Sequence, residues 1–305
     1  MIDFIGNRRK AYLVSTVLVL AGLVALIVLG LNLGIDFTGG TVLHLNLGED
    51  FSMEEVEDVI APFEELEGAA VQVVQSRDLS GDLADEGLVI KSPYMEEERR
   101  NELVASFQER WPQLDPDDLR IESVGPVIGG ELGRQAFLAL AVAVILMIGY
   151  ITFRFEFKFA LATIAALLHN VFIVIGIFAI FQMEINVPFV AAILTVFGYS
   201  VNDTIVIMDR IRENIKHRRK SDYAVVVNES INQNLVRSIN TSLTTLLVLI
   251  ALLVGFNYFI GSVDLIVFVI ALILGVLIGT YSSIFIASPL WLNLQDLKVM
   301  RKRAA

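Results

Sequence analysis

The residues whose type and spacing could do chemistry are ionisable and hydroxyl side chains set inside long apolar stretches. Asp203 is the one carboxylate well inside such a stretch, flanked by Ser200, Asn202 and Thr204. It precedes Asp209-Arg210 by six residues, so about 9 Å of helix separates it from that charged boundary at about 1.5 Å per residue. Arg237 opens another apolar stretch, and Arg237, Asn240, Thr241 and Thr244 recur at i, i+3, i+4 and i+7, one polar face of a helix. A charge at the centre of a membrane helix costs about 2.5–3.5 kcal/mol on the mildest scale, which makes each of these groups a functional candidate. Asp203 and Arg237 fall at similar depth, so a charge pair between two helices is geometrically available. Its chemistry would be proton exchange: burial disfavours an ionised carboxyl, a neighbouring guanidinium favours it, and helix packing sets the balance. Opening to alternate sides would turn an ion gradient into helix motion. A static ion pair, or polar glue between helices, is the competing reading. Asp209 reads as a boundary residue, and His169-Asn170 as a helix–helix hydrogen-bonding point.

These residues need helices to hold them, and the composition supplies the helices. The chain has 305 residues, 55% of them hydrophobic and only 19% charged, with a mean hydropathy of +0.66; soluble domains carry about 25% charge. About 20 apolar residues span a bilayer, and six stretches qualify: Ala11–Leu33, Ala136–Phe153, Phe159–Phe181, Val187–Met208, Ile239–Phe259 and Val263–Leu290. The first is too long for the apolar core of a signal peptide and lacks an A-x-A-like site, so it is expected to stay as an uncleaved span. Gly275, Gly279 and Ser283 recur every four residues in the last, a small-residue face for close packing.

The net charge of −11 divides by segment. Residues 33–131 hold 24 acids and 6 bases, a net of −18; the remainder holds 10 acids and 17 bases, a net of +7. The bases cluster at Arg8–Lys10, Arg154 with Lys158, Arg210–Lys220 and Lys298–Arg303, while the alternate loops near 182–186 and 260–262 have none. The positive-inside rule then puts both termini in the cytoplasm and the acidic insert outside. The expected organisation is a cytoplasmic segment 1–10, a span over 11–33, an extracytoplasmic domain over 34–133, five more spans within 134–290, and a basic tail over 291–305. A cytoplasmic loop of about 210–236 is read as an amphipathic element near the membrane surface.

The insert reads as a small α+β unit. Leu43, Leu45 and Leu47 alternate after a Thr38-Gly39-Gly40 turn. Ser52 with Glu55 forms a capping box ahead of a helix carrying Val56, Val59, Ile60 and Phe63. Val71–Gln75 and Leu88–Lys91 are predicted strands joined by a polar loop over Arg77–Gly87. A second helix is predicted over Glu96–Trp111, with Leu103 and Phe107 inward, and a fourth strand over Leu119–Val124. The order β-α-β-β-α-β predicts a ferredoxin-like fold. The Glu-rich helix faces are read as solvated.

Several function classes drop out. Cysteine is absent, which excludes a disulfide framework, a thiol nucleophile and zinc–thiolate or iron–sulfur sites. His44, His169 and His217 are too scattered for a metal motif, the acidic balance argues against nucleic acid, and HExxH, GxSxG and Walker signatures are missing. An enzyme is not expected, nor is a cofactor.

Three segments carry a family resemblance: Gly34-Ile35-Asp36-Phe37-Thr38-Gly39-Gly40 after the first span, Ser123-Val124-Gly125-Pro126 with Gly130-Glu131-Leu132 before the second, and the run Gly198–Asn214 through Asn202-Asp203. They resemble the SecF members of the SecD/SecF protein-export family, within the resistance–nodulation–division superfamily, over essentially the whole chain. The resemblance implies a subunit that works with SecD beside the SecYEG channel. It would draw secreted polypeptides outward, after the SecA ATPase has pushed them in, at the expense of a proton or sodium gradient. Accessory proteins of the YidC and YajC type are implied neighbours, and a bacterial inner membrane the implied location. Carried over by position, the family's intramembrane carboxylate and arginine fall on Asp203 and Arg237. Gly34–Gly40 and Gly125–Gly130 are expected to act as hinges for the external domain. A half-transporter for small molecules or lipids, and an uncoupled scaffold, remain open.

Overall fold

A left-handed glycine stops the first helix earlier than hydropathy alone suggests. In the computed structural model α1 covers Arg8–Val28, and Gly30 sits at φ 73° beyond its last turn, a conformation that ends helices readily. The structure describes residues 1–47, 51–66, 69–77, 83–112, 114, 119–216, 223–260 and 263–295. Six helices are long and apolar enough to cross a membrane. Besides α1 they begin with α5 (Pro126–Arg154), α6 (Phe157–Phe181), α7 (Val187–Ile215), α8 (Tyr223–Gly255) and α9 (Val263–Ser282). Two π-helical segments, Phe256–Ile260 and Ser283–Ala287, interrupt the last two spans.

Residues 1–32, 138–255 and 262–305 group into one unit, and residues 33–137 with 256–261 into another. In the first, small residues set the helix contacts. A Cβ on Gly176 of α6 would lie 2.6 Å from the Gly22 Cα of α1, so those backbones cross in direct contact. Along α9, a Cβ on Gly275 would collide with Val196 of α7, and one on Gly279 would sit 3.3 Å from the Ser200 Cβ. The predicted small-residue face is therefore the α7–α9 contact.

The ends of the helices separate into two sets. At one end Arg212 reaches the Arg154 carbonyl, and Lys158 donates to the Leu294 carbonyl at 2.7 Å and to Gln295 at 2.8 Å. Residues 2–5 are strapped there by Asn228 and Asn232 of α8. At the other, Asn32 pairs with the Gln182 carbonyl and the Ile185 N–H, and Asn186 binds Asp264. The described basic clusters, Arg8–Lys10, Arg154, Lys158, Arg210 and Arg212, thus share one end. His217, Arg218, Arg219, Lys220, Lys298, Arg301, Lys302 and Arg303 lie outside the described residues.

Of the separate amphipathic element expected over 210–236, residues 210–215 and 223–236 instead extend two spanning helices, and residues 217–222 lie outside the described residues. Val226, Val227 and Ile231 are buried on α8, and Asn214 of α7 donates to Ser230 at 2.8 Å and Gln233 at 3.0 Å. An i, i+1, i+5 apolar stripe continues the helical repeat of the span behind it, so the helix has no reason to break.

The second unit holds α2 (Ile35–Thr38), β1 (Gly40–Asn46), α3 (Met53–Ile60), β2 (Ala70–Arg77), β3 (Leu83–Ser92), α4 (Glu97–Arg110) and β4 (Leu119–Val124). The sheet order is β2-β3-β1-β4 with every pairing antiparallel. This is the ferredoxin-like arrangement, because both helices cross over the same face. Leu43, Leu45, Leu88 and Ile90 of the sheet meet Val56, Leu103 and Phe107 of the helices in its core. The Ser52–Glu55 capping box forms, with both bonds at 3.2 Å. The strands β2 and β3 run longer than periodicity alone indicates, so Leu83–Gly87 of the expected 77–87 loop are strand, and residues 78–82 lie outside the described residues.

Candidate functional site

Asn186 accepts the Phe189 N–H to start α7, with Pro188 in the first turn, the residue types that favour a helix N-terminus. From there Val196, Ser200, Thr204, Ile207 and Ile211 form the buried stripe of α7. Asp203 lies one position from that stripe and is turned toward α8. Its Oδ1 accepts a 2.6 Å hydrogen bond from Ser238 Oγ, the length of a charge-assisted O–H···O⁻ bond. Its Oδ2 is buried and makes no hydrogen bond of full geometry among the described residues, although the Ser283 hydroxyl of α9 also acts on the carboxylate.

Hydroxyls surround this carboxylate. Thr204 Oγ1 donates to the Ser200 carbonyl and lies 2.8 Å from Ser283 Oγ of α9. On α8, Ser242 sits one turn beyond Ser238; it donates to the Ser238 carbonyl, receives Tyr199 OH at 3.0 Å and lies 2.6 Å from Thr280 Oγ1. Ser283 opens the π-helical turn Ser283–Ala287, and such turns concentrate at functional sites.

The structure places the other sequence candidates differently. Arg237 is exposed and makes no ion pair with Asp203 among the described residues; it acts on the carboxylate only through space. Asn202, Asn240, Thr241 and Thr244 are exposed too, and Thr244 satisfies itself on the Asn240 and Thr241 carbonyls. So the face of α8 that meets Asp203 carries Ser238 and Ser242, not the polar stripe that begins at Arg237. Sequence reasoning followed charge and passed over Ser238. The signal that finds it is a pair of i, i+4 hydroxyl repeats, Ser238/Ser242 and Ser200/Thr204, opposite the small residues Gly279 and Ser283.

The glycine motif is built by close approach. Gly34 caps α2, with Asp36 in the first turn. Gly39 has φ 72°, and a Cβ there would lie 2.8 Å from the Pro126 Cα; Gly40 has φ 152°, where a Cβ would lie 2.8 Å from the Ser92 carbonyl oxygen. A Cβ on Gly129 would in turn lie 2.8 Å from the Gly39 nitrogen. Gly125 precedes Pro126, the first residue of α5. The segments at Gly34–Gly40 and Gly125–Gly130 are therefore pressed together as one backbone clasp.

Residues 105–297 match the family described as protein export membrane protein SecD/SecF, C-terminal, and residues 24–48 match the SecD/SecF GG motif. The chain belongs to the SecD/SecF family. Its GG-motif match takes in Gly39 and Gly40, and its C-terminal match takes in α5 through α9 with Asp203 and Ser238. A protein translocase subunit SecF of Sebaldella termitidis is 38% identical over 93% of this chain and 89% of its own length. The protein translocase subunit SecDF of Thermus thermophilus is 40% identical over 95% of this chain. The chain spans 38% of that longer relative. The crystal structure of Thermus thermophilus SecDF, described as a translocon-associated membrane protein, superposes with a TM-score of 0.80 and 38% identity, covering 97% of this chain and 39% of the other. The protein is accordingly an α-helical membrane protein of this family, with six candidate membrane helices and an inserted ferredoxin-like domain.

Proposed function

We propose that this chain is a non-enzymatic accessory subunit of the Sec protein translocase. With SecD it uses the proton or sodium gradient to promote export and release of secreted polypeptides at the SecYEG channel, alongside YidC- and YajC-type proteins. The observation that carries the reading is the buried Asp203 carboxylate at mid-helix, bonded through one oxygen to Ser238 with the other making no full hydrogen bond among the described residues. An ionised Asp203 accepts from Ser238. A carboxyl that takes up a proton gains a donor at Oδ2, and one that takes up a cation shares its oxygens with it. Either change alters what α8 and the Ser283 turn can offer the site, so ion occupancy is linked to the α7–α8–α9 seam. The names of the relatives, translocase subunits SecF and SecDF, support the cargo.

The exposed polar face of α8 supports the partner. Arg237, Asn240 and Thr241 together are poor neighbours for lipid, and SecD, which the longer relatives carry in the same chain, is the helical partner suited to cover them. The basic helix ends face the cytoplasm and the acidic domain lies outside the inner membrane. The Gly39 clasp on Pro126 and Gly129 is the point where motion of α5 would pass to that domain.

The experiment is gradient-driven export in membrane vesicles with Asp203→Asn. Loss of the gradient-dependent phase is expected, with ATP-driven export retained. An unchanged gradient-dependent phase would leave a scaffold, and crosslinks from the external domain to lipid or drugs but not to an arrested exported chain would favour a half-transporter.

A further inference from the structure

A second polar centre, on α6, touches the site above through Ser200. Asn170 of α6 is fully buried. Its Nδ2 donates to Ser200 Oγ at 2.8 Å, which leaves its Oδ1 as an acceptor, 3.2 Å from His169 Nδ1. With the Asn170 amide assigned in this orientation, a neutral imidazole carries its proton on Nδ1 and its lone pair on Nε2. That nitrogen is buried with no hydrogen-bond partner among the described residues. An orphaned acceptor in the membrane is costly; its lone pair can take a proton, and because burial without a counter-charge disfavours the imidazolium, loading requires water to reach Nε2.

The surroundings are neutral. On α9 the titratable group facing the ring is Tyr281, stacked with centroids 6.5 Å apart; its hydroxyl is engaged by the Ala11 carbonyl and Ser15 of α1. On α7, Ser200 meets Asn170 rather than the ring. No carboxylate, guanidinium or ammonium among the described residues acts on the imidazole.

We propose that His169 is a second proton-binding site of the membrane body, loaded at Nε2, with Asn170 as the positioning residue. Asn170 holds the tautomer and ties it to the Ser200 turn, three residues ahead of Asp203. Loading moves one proton from hydronium to Nε2, releasing water and leaving an imidazolium that keeps its Nδ1–H bond to Asn170; unloading is the reverse. The added charge bears on the same α7 turn that carries Asp203, so the two sites bias one another's occupancy. This regulation rests on the ion-coupling reading of Asp203.

The test uses the full chain in bilayers with ¹⁵N-labelled histidine, alongside gradient-driven export across pH. His169 should show an unprotonated Nε2 at neutral pH that becomes protonated on acidification, and Asn170→Ala should scramble the tautomers. His169→Gln should displace the pH profile of gradient-driven export while retaining gradient dependence. A bare Nδ1 in the wild type, an Nε2 that never titrates, or an unchanged profile in His169→Gln would overturn the proposal. Gradient dependence surviving in Asp203→Asn would overturn the coupling reading instead, and the histidine spectrum distinguishes that failure from this one.

Discussion

Ser238 Oγ donates to Asp203 Oδ1 at 2.6 Å across the α7–α8 contact, while Arg237, its neighbour in sequence, is exposed. The carboxylate is thus held by a hydroxyl, and the guanidinium is free to meet a partner helix. Ser238→Ala removes a bond to a charged group, worth about 1.5–3 kcal/mol. We expect roughly a tenfold or greater fall in the rate of gradient-driven export, read in membrane vesicles. Ser238→Thr keeps the hydroxyl and should restore much of it.

The exposed Arg237 should matter through SecD rather than through the fold of this chain. Arg237→Ala is expected to leave the thermal stability of the isolated chain in detergent within about 0.5 kcal/mol, as for other exposed positions. It should weaken co-purification of SecD. Strong destabilisation without any change in association would contradict this division.

Close packing of α7 on α9 predicts a size-compensation result. Gly275→Ala places a methyl against Val196, an overpacking that typically costs about 1–3 kcal/mol. Val196→Ala alone opens space there. Combined, the two changes should recover stability relative to Gly275→Ala in a thermal unfolding assay, a non-additivity expected only of residues in contact.

The glycine clasp predicts intolerance of a single methyl. Gly39→Ala would carry a Cβ 2.8 Å from the Pro126 Cα on a backbone at φ 72°. That backbone, at ψ 156°, lies in a region only glycine readily populates, which costs another residue about 1–3 kcal/mol, and the clash is with backbone, which has little room to yield. Limited proteolysis should show faster cleavage between residues 34 and 40 in Gly39→Ala, whereas Gly130→Ala, with nothing within 4 Å of its Cβ position, should resemble wild type.

In the external domain Arg99 bonds both Glu65 and Glu102 and lies over the Phe63 ring, 5.2 Å from its centroid. Its hydrogen bond holds the Glu65 carboxyl below the usual carboxylate range. A depressed folded pKa contributes stability above the unfolded pKa, and that contribution fades as pH falls through the folded one. Both groups are open to solvent, so the contribution is small and salt-sensitive. Carboxyl ¹³C titration should place Glu65 below ordinary glutamates in the wild type and return it to their range in Arg99→Gln.

The external domain was the most legible part of the chain. Leu43, Leu45 and Leu47 alternate because a strand repeats every two residues, and all three are buried. The capping box of Ser52 and Glu55 is local chemistry within one turn and forms as its spacing requires. Around Asp203 less could be read. The i, i+3, i+4, i+7 stripe from Arg237 is a true helical face, yet it is exposed. The inward face of α8, at Ser238 and Ser242, is about 100° around the helix from it.

What the sequence by itself determined is whatever depends on one element at a time: six apolar stretches of spanning length, the segregation of −18 from +7, and a β-α-β-β-α-β order that specifies the sheet. Those follow from helix rise, strand alternation and the cost of charge in hydrocarbon. Only the tertiary structure decided that Ser238 and not Arg237 touches Asp203, that Gly22 meets Gly176, and that Gly39 rests on Pro126 and Gly129. Each of these is a contact between elements far apart in the chain. Which of two adjacent helix faces turns inward is set by how closely neighbouring backbones can approach, and periodicity within one helix carries no information about its neighbour.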